Sequence, residues 1–330
     1  STTFTYSGFS TTTIDPDGQK KMEIKDYLGR IILVDETDVV PIPGGGSVTA
    51  LITRYTYNAA GDLLTITDPK SNQTSIVYDS LGSKLSMADP DRGVWNYTYD
   101  PNGNLLSQKD AKNQTVTFVY DELNRLKTKT YPDAKQAVYT YDNLSIANGR
   151  GRLYSVTNDD VTTTVTGYDA VGRLKGDKKV ITGNATTYAT SYAYDLSGKI
   201  TGITYPDGYQ AAYTFYPGTG LLKEVQGVSD AKIHALCTIY EPTGKIGQIT
   251  YANGTATRYT YDPHSTKLFG MVTAAPTNLP ANDLQRKIYK YTRAGDMKEI
   301  KDEVRGITYT YTYDRLHRLL SETNTGTFAS

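Results

Sequence analysis

The sequence predicts an all-β protein, an array of β-hairpins that curls into a spiral sheet or a partial hollow shell. A Tyr-Asp motif or its close variant recurs every 21 residues, at Tyr57, Tyr78, Tyr99, Tyr120 and Tyr141. The segments between these motifs alternate in polarity as β-strands do, and none has convincing helical periodicity. Tyrosine and threonine, which suit pleated and half-buried surfaces, are abundant. A fixed period of this length is typical of repeat proteins.

The composition argues against several other classes of protein. Hydrophobic residues are only 38% of the 330 residues, and 29 tyrosines stand against 6 phenylalanines and 1 tryptophan. The 35 basic and 35 acidic residues balance, so no net charge favours nucleic acid as a partner. No stretch approaches the roughly eighteen apolar residues of a membrane helix. A single cysteine, Cys237, excludes an internal disulfide framework.

Each repeat is predicted to contain two strands and two turns. The first turn, here named the Tyr-Asp turn, reads Tyr-Asp-x-x-Gly. Its aspartate can bond the backbone two residues on, and its glycine position requires positive φ. Asn124 and His317 replace this glycine, and both residue types enter the left-handed region readily. The candidate turn residues are Tyr57, Gly61, Tyr78, Asp79, Gly82, Tyr99, Asp100, Gly103, Tyr120, Asp121, Asn124, Tyr168, Asp169, Gly172, Tyr194, Asp195, Gly198, Tyr313, Asp314 and His317.

The second turn, named the Pro-Asp turn, has the form of residues 206–208, Pro-Asp-Gly. Proline fixes φ at the first central position, and glycine suits the exit of the turn. The chain begins with such a turn at residues 15–18, and Lys25 then stands where tyrosine is expected. Counting that unit, the sequence holds thirteen Tyr-Asp turns. The alignment at Tyr216 and Tyr261 leaves a shift of one residue open.

We therefore expect one repeat array over residues 1–330, with insertions near residues 35–50, 143–150 and 273–284. Thirteen units imply roughly 26 strands and a sheet on the order of 120 Å wide. A twisted sheet of that width must curl, and closure into one ring would give a diameter of about 40 Å, too wide for side chains to fill.

Ladders of like residues on successive strands are expected to hold this sheet together. Each cross-strand aromatic pair contributes about 0.2–1 kcal/mol. The aromatic ladder would comprise Tyr97, Tyr99, Tyr139, Tyr141, Tyr192, Tyr194, Tyr259, Tyr261, Tyr309, Tyr311 and Tyr313, and an aliphatic ladder would comprise Leu105, Leu126, Leu153, Leu174, Ile200 and Ile246.

These motifs resemble the RHS or YD repeats of bacterial polymorphic toxins, insecticidal toxin-complex B and C components and animal teneurins. The resemblance runs from about Phe4 to Leu320. It implies a β-spiral wall around a hollow shell, which in the toxin members sequesters an effector. It also implies a secreted or cell-surface bacterial location, with the remainder of a larger polypeptide or toxin complex as partner. The segment after Tyr313 lacks the family's core-associated motif, so no self-cleaving residue is assigned, and we expect a stretch of wall without plug or cargo.

Other chemistry is predicted to be absent: no catalytic residue, no cofactor and no metal. The acidic pairs Asp15 with Asp17, Asp89 with Asp91, and Asp159 with Asp160 occur at turns, where aspartate bonds the backbone, and their spacing fits no calcium loop.

His234 and Cys237 stand three apart, which places them on opposite faces of a strand. His264 and His317 lie in turns. Arg125, Lys127 and Lys129 alternate, and we interpret them as one solvated strand face.

Tyrosine-rich surfaces also stack on sugar rings, so a carbohydrate-binding or adhesive module is the alternative function. An enzyme is the third alternative, and the sequence offers no convergent set of acid, base and nucleophile for it.

Overall fold

The computed structural model describes residues 2–36, 51–276, 283–314 and 316–326, which form 28 β-strands and no helix. The all-β prediction is confirmed. The chain divides into two compact units, Ser1–Asp142 with Gly151–Thr162, and Asn143–Arg150 with Thr163–Ser330. That residues 1–330 behave as one array stays a prediction.

The first unit contains fourteen complete strands. They are β1 (Thr3–Ser7), β2 (Ser10–Ile14), β3 (Lys20–Lys25), β4 (Ile31–Asp35), β5 (Ile52–Tyr57), β6 (Leu63–Thr67), β7 (Gln73–Tyr78), β8 (Lys84–Asp89), β9 (Gly93–Tyr99), β10 (Leu105–Lys109), β11 (Thr115–Tyr120), β12 (Leu126–Thr130), β13 (Gln136–Tyr141) and β14 (Leu153–Thr157). Each pairs antiparallel with the next along the chain.

In the second unit the strands from β16 onward pair antiparallel in the same sequential order, and β15 (Val161–Tyr168) begins in the first unit and continues into the second. They are β16 (Leu174–Ile181), β17 (Thr187–Tyr194), β18 (Ile200–Thr204), β19 (Gln210–Phe215), β20 (Leu222–Gly227), β21 (Ile233–Tyr240), β22 (Ile246–Tyr251), β23 (Ala256–Tyr261), β24 (Leu268–Ala274), β25 (Asp283–Tyr291), β26 (Met297–Asp302), β27 (Ile307–Tyr313) and β28 (Leu319–Thr325).

The thirteen Tyr-Asp turns join the strand pairs from β3–β4 to β27–β28, which accounts for 26 strands. The Tyr-Asp pattern does not predict one further hairpin at the start of the chain. There β1 pairs with β2 from Thr3 opposite Ile14 to Ser7 opposite Ser10, across a turn in which Gly8 has φ of 57°. The signal was the alternating run Thr-Phe-Thr-Tyr before a Ser-Gly turn.

A β-bulge recurs in every Tyr-Asp hairpin for which the described residues give the register. In β9 and β10, Tyr99 lies opposite Leu105, whereas Thr98 lies opposite Ser107, so Leu106 is an extra residue. The same shift occurs in eleven other hairpins. A bulge bends its strand and increases the local twist, so the bending is repeated along each unit.

The two faces of the sheet differ in chemistry. In β9, Tyr97 and Tyr99 are half-buried on one face, and Asn96 and Thr98 are exposed on the other. On the exposed face the Thr98 hydroxyl bonds the Ser107 hydroxyl of β10 at 2.6 Å. Equivalent hydroxyl pairs join Thr56 to Thr65, Thr140 to Ser155, and Thr312 to Ser321. The threonine between two tyrosines thus has a cross-strand role.

The array has little conventional core. Among the described residues, the buried hydrophobic side chains are Ala137, Val165, Ala211, Cys237 and Ile307. Most strand residues are half-buried at best, so hydrogen bonds and ring contacts between neighbouring strands must supply much of the cohesion.

Of the three predicted insertions, only residues 143–150 are fully described. They form a compact loop in which Ala147 accepts a 3.0 Å hydrogen bond from the backbone N–H of Tyr168. The other two fall largely on residues 37–50 and 277–282, which lie outside the described residues.

Candidate functional site: the Tyr-Asp turns

Ten of the thirteen Tyr-Asp turns are five-residue loops, in which the first residue's N–H bonds the fifth residue's carbonyl. In residues 121–125, the backbone N–H of Asp121 donates to the Arg125 carbonyl at 2.9 Å, and the N–H of Asn124 donates to the Asp121 carbonyl at 3.0 Å. Oδ1 of Asp121 accepts two further bonds, from the N–H groups of Leu123 and Arg125, both at 2.9 Å. The carboxylate therefore serves as the internal scaffold of the turn.

The same pair of carboxylate bonds recurs in five other turns. The acceptors there are Asp26, Asp79, Asp100, Asp169 and Asp314. In the turn of Tyr194, Asp195 accepts from the N–H of Lys199 and from the Ser197 hydroxyl.

The fourth turn position has positive φ in these turns, as the turn chemistry requires. The glycines there have φ of 101° at Gly61, 82° at Gly82, 84° at Gly103, 92° at Gly172 and 92° at Gly198. The two substitutes have φ of 59° at Asn124 and 60° at His317.

Hydrogen bonding shifts the pKa of the turn aspartates. The backbone N–H of Arg125 is the main cause that holds the pKa of Asp121 below its ordinary 3.8, and the N–H of Ser83 does the same for the pKa of Asp79. At Asp100 the side-chain amide of Asn104 is the largest cause of a lowered pKa. These carboxyl groups are therefore charged at neutral pH, and each is committed to its own turn.

The residue after the positive-φ position is frequently basic, and it pairs with the aspartate of its own turn. The guanidinium Nε lies 2.7 Å from the carboxylate in the pairs Arg30 with Asp26 and Arg125 with Asp121. The corresponding distances are 2.5 Å for Arg173 with Asp169 and 2.6 Å for Arg318 with Asp314.

The same basic residue also contacts the next repeat. Nη2 of Arg125 lies 2.6 Å from Oδ2 of Asp142, and its guanidinium lies over the Tyr141 ring at 4.3 Å. These contacts raise the pKa of Arg125, with the Asp142 hydrogen bond as the largest cause. Equivalent cations lie 4.7 to 5.1 Å from the next ring, namely Arg30 on Tyr57, Arg173 on Tyr194, Lys199 on Phe215, Lys245 on Tyr261 and Lys267 on Tyr291.

A second link between adjacent strands comes from the tyrosine hydroxyl. The hydroxyl of Tyr99 donates to the Lys84 carbonyl on β8 at 3.0 Å, and burial raises the pKa of Tyr99. Matching bonds of 2.7 to 3.0 Å run from Tyr57 to Ile31, Tyr141 to Leu126, Tyr194 to Leu174, Tyr240 to Leu222, Tyr261 to Ile246 and Tyr291 to Leu268. We call the cation contact and this hydroxyl bond together the inter-repeat link.

The remaining candidate tyrosines end their strands as well: Tyr78 ends β7, Tyr120 ends β11, Tyr168 ends β15 and Tyr313 ends β27. Burial raises the pKa of Tyr78 and of Tyr120. Residues Leu126, Leu174 and Ile246 of the expected aliphatic ladder follow the turns, and they also supply carbonyl acceptors for the hydroxyl bonds.

Direct ring contacts between tyrosines are sparse in the described residues. Tyr216 and Tyr240 meet edge to face at 6.2 Å, and Tyr205 and Tyr209 are tilted at 6.4 Å. The cations described above are the more regular ring contacts. Sequence reasoning missed this role, although a basic residue at the same place after several turns was the signal.

The alignment at Tyr216 was wrong by one residue. Phe215 pairs with Leu222 and so occupies the tyrosine position, while Tyr216 takes the aspartate position and bonds the Leu221 carbonyl through its N–H. At Tyr261 the alignment holds, since Tyr261 pairs with Leu268 and the turn is longer by one residue.

The prediction of a solvated basic strand face was wrong for Arg125. This residue lies before β12, its side chain is 24% exposed, and it bridges two turns. Lys129 lies 4.6 Å from the Tyr131 ring and 6.0 Å from the Phe118 ring. Lys127 is exposed, as expected.

Two of the three acidic pairs supply the acceptor of their turn. Oδ1 of Asp15 accepts from the N–H of Asp17 at 2.9 Å, and Oδ1 of Asp89 accepts from the N–H of Asp91 at 3.0 Å. In the turn of Asp159 and Asp160 the acceptor is instead Asn158, whose Oδ1 accepts a 3.0 Å hydrogen bond from the N–H of Asp160.

The histidines and the cysteine lie apart from one another. Cys237 is buried and 2% exposed, whereas His234 reaches the hydroxyl of Tyr209. His264 lies in a turn, where its backbone N–H donates to Oδ1 of Asp262. Nδ1 of His317 lies 2.7 Å from Oδ2 of Asp296 in the preceding turn.

Metal-binding groups and membrane-spanning helices can be considered only for the part of the chain that the structure describes. No three His, Cys, Asp and Glu side chains come together as a metal-binding group. No helix there has the length and apolar character of a membrane span.

This geometry defines an antiparallel hairpin-repeat protein whose turns and tyrosines join neighbouring repeats. The RHS Repeat family matches residues 99–136 and 291–329. Both matched segments contain Tyr-Asp turns described above, so these two parts of the chain carry RHS repeats.

Similar solved structures have low sequence identity to this chain. A TcdB2-TccC3-TEV crystal structure has 18% identity and a TM-score of 0.81, and the Tc holotoxin pore of Photorhabdus luminescens has 18% and 0.82. A TcdB2-TccC3-Cdc42 crystal structure has 17% and 0.80. In each the match covers 97% of this chain and 18% of the other, so this chain spans less than a fifth of those chains. No curated protein sequence matches the chain.

Proposed function

We propose that this chain is a non-enzymatic wall segment of a hollow β-shell that encloses or scaffolds an effector. The shell would belong to a larger secreted or surface-delivered bacterial protein, a toxin or toxin-complex component. The shared fold with Tc toxin structures supports this proposal, as does the 18% of their length that the chain matches. The remainder of that polypeptide is the proposed partner, and the balanced charge gives nucleic acid no advantage.

The observation that carries the proposal is the inter-repeat link. In the first unit, Tyr141 donates its hydroxyl to Leu126 while Arg125 lies over the Tyr141 ring and pairs with Asp142. In the second unit, Arg173 lies over Tyr194 in the same way. The chemically active side chains of the repeat are thus used to connect neighbours, which is what a nearest-neighbour array requires for cohesion.

Enclosure is tested on the intact polypeptide that contains this chain and its effector segment. Limited proteolysis should leave the effector uncut while the repeats remain folded, whereas the same effector segment expressed alone should be digested. Equal rates of effector cleavage in the two samples would refute enclosure.

A carbohydrate-binding module is the second candidate function, and one groove in the second unit favours it. The groove has a volume of about 490 Å³, and Tyr188, Tyr205 and Tyr209 line it together with Pro206. Tyr188 and Tyr205 are 36% and 39% exposed, so their rings are accessible for stacking on sugars. A glycan array should then show binding that Tyr188→Ala and Tyr205→Ala each abolish, while absence of any glycan binding removes this candidate.

A further inference from the structure

Three polar side chains converge at one end of the second unit's sheet. They are Tyr209 just before β19, Asp230 in the turn between β20 and β21, and His234 in β21. The Tyr209 hydroxyl bonds Nε2 of His234, and the two ring centroids are 6.0 Å apart. Nε2 of His234 lies 3.8 Å from Oδ2 of Asp230.

Gly227, the last residue of β20, gives these side chains their space. A Cβ at Gly227 would collide with the Tyr209 hydroxyl oxygen and with Oδ1 of Asp230, and it would lie 2.7 Å from Nε2 of His234. Any larger residue would displace all three groups. The absence of a side chain at Gly227 thus leaves room for the three side-chain ends to meet, and its φ is not positive.

The cluster is also a departure from the repeat. Tyr209 is the fifth residue of a Pro-Asp-type turn, in which the first residue's N–H donates to the fifth residue's carbonyl. Five other turns at the Pro-Asp position of the repeat close in the same way, and none has an aromatic fifth residue: they have Gln19, Asn72, Gln114, Lys135 and Thr255. The wall therefore does not need tyrosine at this place.

We propose that Tyr209, Asp230 and His234 form a binding site for a divalent first-row transition-metal cation, Zn²⁺ or Cu²⁺. An imidazole nitrogen with oxygen ligands suits these ions. The ion lies on the solvent side of the three atoms, away from the Cα of Gly227. The side chains of His234 and Asp230 are 42% and 34% exposed, so water can complete the coordination.

The three ligands contribute unequally. Asp230 lies in the turn before β21, and His234 is the second residue of β21. Tyr209 offers a phenol oxygen, which is a weaker ligand than a carboxylate or an imidazole nitrogen. His234 and Asp230 are the two members of the cluster with the usual metal-binding side chains. The phenol oxygen of Tyr209 supplies the third ligand.

The test is calorimetric titration of the tag-free chain with ZnCl₂ and with CuSO₄. The unchanged chain should bind one ion saturably, and His234→Ala and Asp230→Asn should each weaken binding by about tenfold or more. Tyr209→Phe should weaken it less. Gly227→Ala, which fills the space with a methyl group, should also lose binding while its far-UV circular dichroism is retained.

His264→Ala is the matched control, because it removes a histidine from a different turn, that of Asp262. It should bind like the unchanged chain. The proposal is overturned if neither ion binds saturably, if a folded His234→Ala variant binds as the unchanged chain does, or if His264→Ala loses binding equally.

Discussion

Gly103 allows the cost of the left-handed turn position to be measured without steric interference. It has φ of 84°, and no heavy atom lies within 4 Å of the Cβ that a substitution would add. The whole cost of Gly103→Val is therefore backbone strain, about 1–3 kcal/mol for a β-branched residue at positive φ.

A graded series separates this strain from loss of glycine in general. Asn124 occupies the same position in the next turn at φ of 59°, and Ala134 has φ of 66° in a Pro-Asp turn. Gly103→Asn should therefore cost least, Gly103→Ala an intermediate amount and Gly103→Val most.

Because a repeat array need not unfold in one step, the assay must report on this turn itself. Native-state hydrogen exchange at amides of β9 and β10 measures the local opening free energy of the hairpin. Equal protection in the Gly103→Val and Gly103→Asn variants would show that the turn does not require positive φ in solution.

Three further predictions concern the links and the charges. Tyr99→Phe should lower the local stability of its hairpin by about 0.5–1.5 kcal/mol in hydrogen exchange, since a buried hydroxyl bond is lost; no change would show that the bond contributes nothing. Arg125→Ala should lower the urea midpoint more than Lys127→Ala, because only Arg125 bridges two turns, and equal midpoints would contradict this. Stability should be constant between about pH 4 and pH 10. Below this range it falls, because the folded pKa of Asp121 is lower than 3.8 and the unfolded chain takes up protons first. Above it stability falls too, because burial raises tyrosine pKa values above 10.0, that of Tyr240 to about 12. A urea midpoint that stays constant across both limits would contradict the pKa directions.

The turns could be predicted from sequence because their chemistry is local. The backbone of the turn is specified by an aspartate and by a glycine four positions after the tyrosine. Asn124 or His317 takes the place of this glycine in two turns, and no other strand is needed. The strand count followed from the turns, and only the β1–β2 hairpin, which has no Tyr-Asp turn, was missed.

The features that were missed depend on neighbouring strands. The bulge at Leu106 follows from how Tyr99 and Thr98 pair with β10, and no single residue encodes it. Arg125 alternates with Lys127 as a solvated face would, yet the neighbouring repeat supplies its ring and second carboxylate. Phe215 was misaligned because the sequence Phe-Tyr offers two aromatic residues for one position.

The cluster around His234 was missed for a similar reason. By its spacing in the sequence, His234 was compared with Cys237. Its contacts are instead Asp230, four residues earlier, and Tyr209, 25 residues earlier. Only the presence of tyrosine as the fifth residue of a Pro-Asp-type turn, where glutamine, asparagine, lysine or threonine stands elsewhere, distinguished Tyr209.

Small-angle X-ray scattering of the 330-residue chain tests the central claim most directly, because a shell wall and a linear stack of hairpins differ in overall dimensions. The proposed wall segment should give the profile of a curved plate or hollow particle. A long thin rod would contradict the wall, and the carbohydrate-binding function would then account better for the exposed tyrosines.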